Sequence, residues 1–368
     1  MTGTVKIPLY GISRQYLNLR EEILTETDRV LQTGALIDGL EHMAFRNSMR
    51  KRTLRGHATA VHSGTEALIF ALRALRNKTT IDYPRVLIPA VSFVATVNSV
   101  YEAGCIPVFC DVTEDGLMDL NTVPDPKVID FIMYVNLYGN IIDFDKLQLV
   151  NQFFGRDVPV VEDAAQSFGA AYKGRPSGSL GTISCLSFDP TKNLANYGNG
   201  GMILTDDDEL HNDVVNMQNN GKRSYHCETG TNSRMSEADC AQMKVKLKYF
   251  DTWQARRKEI AEFYDSQLSG VVRTTKYDSS VSPAYSKYVI HATRRADLRS
   301  HLYDLGIETK VTYSQTLPSL NLISGAIELD YPMSVRHCKT CLSLPIYPEL
   351  TDAEVEVVAS AVQSFFLK

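Results

Sequence analysis

The chain has 368 residues, of which 44% are hydrophobic and 22% are charged, and its formal net charge is −5. This length can bury a sizeable core and favours one large domain with a smaller one. The slight acidic excess argues against a general nucleic-acid-binding protein, which is usually basic. Because the sequence has neither a secretion signal nor an apolar stretch long enough to span a membrane, we expect a cytoplasmic protein with no membrane or nucleic-acid partner.

The first two hundred residues alternate between helical and strand patterns. Apolar residues at helical spacing over 11–33 predict an amphipathic helix. Short apolar runs, separated by helix-compatible segments, follow at 58–61, 86–88, 107–110, 131–135, 158–161 and 183–187. This alternation predicts an α/β fold, with a mostly parallel sheet covered by helices on both faces.

The pattern changes in the second half of the chain. A polar stretch, 219–233, precedes a segment from 237 to about 268 that contains no Gly or Pro, and we expect a long helix there. We therefore predict an N-terminal segment and a large domain over 1–245. A connecting helix and a small C-terminal α+β domain would occupy 246–368.

The seven cysteines are scattered through the chain. Cys338 and Cys341 form a CxxC pair, but a zinc site needs a second pair of ligands at suitable spacing, and none is evident. We interpret the cysteines as reduced thiols and predict no metal site.

Two of the apolar runs lead into residues with acid–base chemistry. Glu162 and Asp163 follow the run at 158–161, and Lys192 comes shortly after the run at 183–187. Chemistry that uses pyridoxal phosphate (PLP) needs a lysine that forms a Schiff base with the aldehyde. It also needs an acid that keeps the pyridine nitrogen protonated. If the strand persists, Glu162 and Asp163 point to opposite faces, and Asp163 is the predicted partner of the nitrogen.

A third feature suits the phosphate of such a cofactor. Ser63, Gly64, Thr65 and Glu66 lie between a short strand and a helix, where free N–H groups and the helix dipole attract a dianion. Gly64 would permit close backbone approach, and Thr65 would add a hydroxyl donor. Taken alone, the pattern is a weak signal, because Ser and Thr cap many helices for structural reasons only.

Several motifs surround these residues. They are SGT at 63–65, VEDAAQS at 161–167, YKGR at 172–175, GSLG at 178–181, SFDPTKN at 187–193, NSRM at 232–235 and LSLPI at 342–346. In kind and in order they resemble the DegT/DnrJ/EryC1/StrS family of PLP-dependent sugar aminotransferases, from the N-terminal region almost to residue 352. The resemblance implies the fold of type I PLP aminotransferases.

The resemblance also implies roles for individual residues. Lys192 and Asp163 would be catalytic, Gln166 would lie near the phenolic oxygen of the cofactor, and Phe93 would stack on its ring. Asn232 would reach the phosphate bound to the other subunit, so the protein would be a homodimer with shared active sites. The complete set expected to bind the cofactor is Gly64, Thr65, Glu66, Phe93, Asp163, Gln166, Ser187, Lys192 and Asn232.

The resemblance further implies transfer of an amino group from an amino acid, glutamate, to a nucleotide-linked 3-keto-6-deoxyhexose in deoxyamino-sugar and polysaccharide biosynthesis. The preference for C-3 rests on the segment 228–234. Amination at C-4 and a non-catalytic regulator or scaffold remain as alternatives. Lys192 argues against a sugar dehydratase, which in this family carries histidine there. The turn at 198–201 lacks the GxGxxG spacing of a dinucleotide-binding site.

Three places depart from the family pattern. Asn136 stands where many members have histidine, and Asp189 replaces a residue that is often aromatic. The region 38–58 is rich in Arg and Lys instead of acidic and aromatic residues. If these places line the substrate side of the site, the sugar would be an unusual one.

Overall fold

The structure is a computed structural model that describes residues 6–222, 229–320 and 330–367. Cys227, one of the seven cysteines, and Glu228, the first residue of the segment 228–234, lie outside these residues. The helices are α1 Ile12–Thr33, α2 Leu40–Thr53, α3 Gly64–Arg76, α4 Ala95–Glu102, α5 Phe144–Phe153, α6 Asp208–Met217, α7 Glu237–Leu268, α8 Arg295–Asp304, α9 Pro332–Thr340 and α10 Asp352–Phe366. The strands are β1 His57–Val61, β2 Arg85–Pro89, β3 Ile106–Cys110, β4 Phe131–Val135, β5 Val160–Asp163, β6 Ala171–Tyr172, β7 Arg175–Pro176, β8 Ile183–Ser187, β9 Gly201–Thr205, β10 Arg273–Thr274, β11 Val281–Ser282, β12 Tyr288–His291 and β13 Cys341–Leu344.

A seven-stranded sheet in the order β1-β9-β8-β5-β4-β2-β3 forms the centre of the molecule. The neighbours from β8 to β3 pair in parallel, whereas β9 is antiparallel to both β1 and β8. All five residues of β4 are buried, as expected for a parallel strand with both faces covered. The predicted α/β class with a mostly parallel sheet is confirmed.

Helices cover both faces of this sheet because side chains alternate along each strand. In β4, Met133 packs in the core that contains α3, α4 and α6. The next residue, Tyr134, faces the other way and packs with Phe144 and Leu147 of α5. Toward β1 and β9, α2 and α7 cover that second face through Phe45 and Met243.

A second apolar core lies around the sheet β10-β12-β13 with α8 and α10. The long helix α7 contributes to both cores. Near its start, Met243 packs with Phe188 in the large core, whereas Ile260 and Leu268 pack with Leu342 in the second core. This change of partners along α7 suits a connecting helix, and the division between 245 and 246 remains a prediction.

Two negative findings apply to the residues that the structure describes. None of their helices combines the length and apolarity needed to cross a bilayer. No group of three or more His, Cys, Asp or Glu side chains among them is placed to hold a metal ion. Cys338 and Cys341 are both free and buried.

Candidate active site

A cavity of about 280 Å³ opens at the sheet edge where β5 and β8 end and α3 begins. The carboxyl edge of a parallel sheet is where ligands usually bind in such folds. Of the residues predicted for the site, the cavity is lined by Gly64, Thr65, Phe93, Asp163, Gln166, Ser187 and Lys192. Residues from strand ends, a helix start and a loop, distant in sequence, are therefore brought to one place.

Lys192 projects into this cavity from the loop that links β8 to β9. The loop is tied to the protein core at several points. Asn193 Nδ2 donates to the carbonyl of Ala284 at 2.7 Å, and the Asn196 N–H donates to the carbonyl of Phe188 at 2.7 Å. The buried ammonium of Lys246 donates to the carbonyl of Ala195. The loop thus holds Lys192 in a defined position.

The environment of Lys192 favours its neutral, nucleophilic form. Burial lowers the pKa of its amine, while the negative charges of Asp163 and Asp189 oppose that shift and the charge of Lys310 adds to it. Because only the unprotonated amine attacks a carbonyl carbon, a lowered pKa makes this lysine more reactive than one in water.

Asp163 is the last residue of β5, and its side chain is almost completely buried in the cavity wall. Burial is the main reason why its pKa is raised to about 6. Its carboxylate accepts hydrogen bonds from the Ala165 N–H at 3.1 Å and from Thr96 Oγ1 at 3.3 Å. A cationic partner would offset the cost of burying this charge.

Glu162 points to the opposite face of β5, as strand alternation predicts. Its fully buried carboxylate accepts hydrogen bonds from two backbone N–H groups and three side chains, at 2.8–3.0 Å: Gly178, Leu180, Asn136, Ser177 and Ser184. The four donors other than Asn136 fix residues 177–184 against β5. The two neighbouring acids therefore have separate surroundings, one structural and one facing the cavity.

We expect Glu162→Gln to lower the free energy of unfolding by about 1–3 kcal/mol, because an amide NH₂ would face donors that now bind a carboxylate oxygen. Urea unfolding monitored by circular dichroism measures the change. Asp163→Asn is the matched control, because it makes the same chemical change at the next residue. We expect it to lower the free energy of unfolding less than Glu162→Gln does. An unchanged urea midpoint in Glu162→Gln would contradict this structural role.

The start of α3 forms a narrow cradle beside Ser187. Ser63 Oγ accepts the Glu66 N–H at 3.1 Å and so caps the helix. A Cβ atom on Gly64 would lie 2.7 Å from Ser187 Cβ, so only glycine allows this close approach. The Glu66 carboxylate accepts the Ser233 hydroxyl at 2.6 Å, and Glu66 is not among the cavity-lining residues. Its place in the binding set remains a prediction.

Aromatic and amide groups form another part of the cavity wall. Phe93 is half exposed, and its ring centroid lies 6.0 Å from that of Tyr313. Gln166 accepts the Tyr138 N–H at 3.1 Å and donates to Tyr313 Oη at 3.2 Å. The amide of Gln166 is thus oriented from both ends.

Asn232 lies outside the cavity, on the exposed surface. Its side-chain oxygen accepts a hydrogen bond from Arg234 Nη2 at 3.1 Å. Arg234 in turn forms an ion pair with Asp38 at 2.8 Å. Within its own chain, Asn232 is therefore not in contact with the cavity.

A model of the DegT/DnrJ/EryC1/StrS aminotransferase family matches residues 17–363 of this chain. The chain belongs to this family. It is a PLP-dependent sugar aminotransferase, and the predicted family, fold type and cofactor are confirmed.

Individual members of the DegT/DnrJ/EryC1/StrS family match over nearly their whole length. The dTDP-3-amino-3,4,6-trideoxy-alpha-D-glucose transaminase of Streptomyces venezuelae is 31% identical, over 98% of this chain and 97% of its own. A "pleiotropic regulatory protein" of Geobacillus stearothermophilus is 30% identical, over 98% of this chain and 99% of its own. The crystal structure of S. venezuelae DesV, described as a complex with a ketimine intermediate, superposes with a TM-score of 0.93. It is 31% identical and covers 99% of this chain and 100% of that one.

The cavity residues fit the cofactor of the DegT/DnrJ/EryC1/StrS family. The α3 start and Ser187 offer N–H and hydroxyl donors to a phosphate, and Asp163 offers a buried carboxylate to a protonated ring nitrogen. Lys192 supplies an amine, and the exposed ring of Phe93 supplies a surface for stacking. The role of each residue remains a prediction.

Only one of the departures from the family pattern lines the cavity. Asp189 does so, and it also accepts hydrogen bonds from Thr191. Asn136 is buried and donates to Glu162 at 3.0 Å. In the basic 38–58 region, Arg55 donates to the carbonyls of Gly178 and Gly181 and so supports the fold.

Sequence reasoning missed a second wall of the cavity. It consists of Tyr10, Thr96, Lys287, Lys310 and Tyr313. Lys287 directly precedes β12, and Lys310 and Tyr313 follow α8. Lysine is mostly exposed in proteins, and tyrosine is found both buried and exposed, so no local signal distinguished these residues.

Proposed function

We propose that this aminotransferase moves the amino group of glutamate to C-3 of a nucleotide-linked 3-keto-6-deoxyhexose. The observation that carries the proposal is the convergence of Lys192, Asp163 and the α3 start on one cavity. The S. venezuelae relative, whose printed name describes a dTDP-3-amino sugar transaminase, supports the choice of sugar class and carbon.

The roles of the chain's own groups follow from their positions. Bound PLP would supply a carrier for the amino group between the donor and the keto sugar. The α3 start, Thr65 and Ser187 would hold the phosphate. Asp163 would keep the ring nitrogen protonated, and Phe93 would cover one ring face. Lys192 Nζ would tether the cofactor between turnovers and, when released, carry the proton from one carbon to the next.

Two alternatives are separable by experiment. A C-4 aminotransferase would use the same residues on a 4-keto sugar, so only the product distinguishes it. A regulator or scaffold would need neither a reactive lysine nor a buried acid facing a cavity. The presence of both Lys192 and Asp163 favours an enzyme over the regulatory role that the Geobacillus relative's name suggests.

The test is incubation of the pure, PLP-loaded protein with glutamate and a panel of nucleotide-linked 3-keto and 4-keto sugars, followed by mass spectrometry and product NMR. We expect amination of a 3-keto substrate, with formation of 2-oxoglutarate. Lys192→Ala protein is the control for non-enzymatic amination. Exclusive C-4 amination would replace the proposed regiochemistry, and no amination of any sugar would favour the scaffold.

The proposed enzyme would be a homodimer in which Asn232 completes the partner's site. Asn232 is exposed beside a surface that carries the exposed apolar side chains Leu36, Ile37, Leu40 and Met43. The segment that carries Asn232 leads into Glu237, whose carboxylate accepts the N–H groups of Gly39 and His42. These hydrogen bonds join it to the segment that carries the apolar side chains. Several exposed apolar side chains close together in sequence are typical of a protein–protein contact.

Mixing two inactive variants tests this arrangement. Lys192→Ala removes the amine, and the isosteric Asn232→Asp places a negative charge where it would repel the partner's phosphate. After subunit exchange we expect about a quarter of wild-type activity, because half of the dimers are hybrids and one of their two sites is intact.

Each variant mixed only with itself is the control, and native mass spectrometry verifies exchange. If Asn232→Asp alone is silent and exchanged hybrids recover no activity, Asn232 acts within its own chain.

A further inference from the structure

Lys287 is a buried lysine in the cavity wall. It lies just before β12, where the N–H of Ser286 donates to the carbonyl of Tyr138 at 3.0 Å and fixes the backbone. Only 8% of Lys287 is exposed, yet the residue lines the cavity. The side chain therefore faces the interior of the site and not bulk solvent.

The partners of Lys287 are weak for a buried ammonium group. Its Nζ atom donates to the carbonyls of Thr191 and Ser286, both at 3.3 Å, and lies 4.8 Å from the ring centroid of Tyr10. Across the part of the chain that the structure describes, no carboxylate forms an ion pair with it. A buried charge without an opposite charge is costly, so this site is suited to an anion that comes from outside the chain.

The surrounding charges also favour the binding of an anion beside Lys287. The pKa of Lys287 is lowered well below its ordinary value, chiefly by burial and then by the positive charges of Lys192, Arg257 and Lys310. Asp189 opposes the shift only partly. A bound anion would offset both the burial and the repulsion and would restore the protonated form.

The phosphate of the cofactor has a different place to bind. Its expected cradle is the contact of Gly64 with Ser187 at the start of α3. Lys287 instead contacts Thr191, the residue before Lys192, and Tyr10. Its amine is therefore available to a substrate that approaches Lys192.

We propose that Lys287 binds a carboxylate of the substrate and so supplies the anion-recognition group of this aminotransferase. The inference rests on the proposed function. A carboxylate reaches the site from one of two sources, the amino-acid donor or an acidic sugar. The second source would replace the proposed 6-deoxy sugar by one that carries a carboxylate at C-6, with the amino transfer itself unchanged. Both offer the same charge-assisted hydrogen bond to Nζ, and the two half-reactions separate them.

The first arm uses the PLP-loaded enzyme without sugar and follows the cofactor absorbance during the donor half-reaction. The probes are glutamate, isoglutamine, which has an amide in place of the α-carboxylate, and glutamine, which has an amide in place of the side-chain carboxylate. If the donor is the source, we expect Lys287→Met to raise the half-saturating glutamate concentration roughly 10- to 100-fold. The wild type should prefer glutamate over isoglutamine or over glutamine, and Lys287→Met should lack that preference.

The second arm starts from the pyridoxamine form and compares keto sugars that carry a hydrogen, a hydroxyl or a carboxylate at C-6. If the sugar is the source, Lys287→Met should remove the preference for the carboxylate-bearing sugar and leave the donor arm unchanged. A second readout is the thermal stabilisation of the enzyme by 2-oxoglutarate, which depends on binding alone.

Two variants make the test specific. Lys287→Arg keeps the charge and should retain the preference that Lys287→Met loses. Lys310→Met removes the exposed lysine of the same cavity and should have a smaller effect, because solvent screens its charge. Circular dichroism and PLP content verify that each variant is folded and loaded.

The outcomes distinguish this inference from the proposed function. An active wild type whose carboxylate preference survives in Lys287→Met in both arms would overturn the role of Lys287 alone. A wild type that shows no half-reaction with any donor or sugar would overturn the proposed function itself.

Discussion

Replacing Lys192 by alanine is expected to lower sugar amination by at least about a thousand-fold, because one amine serves as both nucleophile and proton carrier. The loop around it is anchored through Asn193, Asn196 and Lys246, so the variant should fold normally. The measurement is steady-state product formation at saturating glutamate and keto sugar, with urea unfolding as the test of folding.

Borohydride reduction followed by peptide mapping tests the chemistry separately from turnover. In the wild type, the reduced cofactor should be attached to Lys192 and to no other lysine. This is a stringent test of Lys192, because Lys287 and Lys310 line the same cavity and could also react with the cofactor. Lys192→Arg is the matched control, since it keeps a positive charge but cannot form the reducible bond. A reduced adduct on another cavity lysine in Lys192→Ala would refute the assignment of Lys192.

The fold and the placement of Lys192 and Asp163 in one cavity could be predicted because both depend on local patterns. Apolar runs of strand length that alternate with helical segments specify a parallel sheet, and the ends of its strands meet at one edge. Within β5 the period of two separates Glu162 from Asp163. In the structure Glu162 accepts hydrogen bonds from the 177–184 turn, while Asp163 lines the cavity.

The second cavity wall could not be predicted because it depends on long-range packing. Tyr313 contacts Gln166 across 147 positions of sequence, and Lys287 contacts Thr191 across 96. Nothing in the neighbourhood of Lys287 shows that its side chain will be buried. Lys287 becomes buried only when the chain before β12, in the sheet β10-β12-β13, packs against the loop that carries Lys192.

Asn136 illustrates a departure from the family pattern that sequence alone could not interpret. Because many members of the family have histidine at this position, the departure suggested a place on the substrate side of the site. Its amide instead donates to Glu162, and its side-chain oxygen accepts the Ile142 N–H at 3.4 Å. The residue is buried behind the site, so its effect on sugar choice would have to be indirect.

Asp163→Asn is expected to retain PLP and to lose activity by roughly two to three orders of magnitude, the effect of losing a few kcal/mol of electrostatic stabilisation. The amide is nearly isosteric and leaves the α3 start and Ser187 unchanged, so phosphate binding should survive. It carries no negative charge, so it cannot favour the protonated pyridine nitrogen. Cofactor content from the absorbance spectrum and the rate of the glutamate half-reaction measure the two effects separately.

The stability of the cofactor-free protein provides the control for this variant. Burial raises the pKa of Asp163 to about 6, so ionisation of this group is disfavoured in the folded state. The stability that the protonated Asp163 contributes is therefore lost as the pH rises from the ordinary aspartate pKa of about 4 through the folded-state pKa of about 6. Asparagine has no such ionisation, so above pH 6 cofactor-free Asp163→Asn should unfold at the same or a higher urea concentration than the wild type. Poor activity with normal PLP content and undiminished stability would identify a functional acid. Near wild-type turnover with normal PLP content would show that the enzyme does not depend on Asp163.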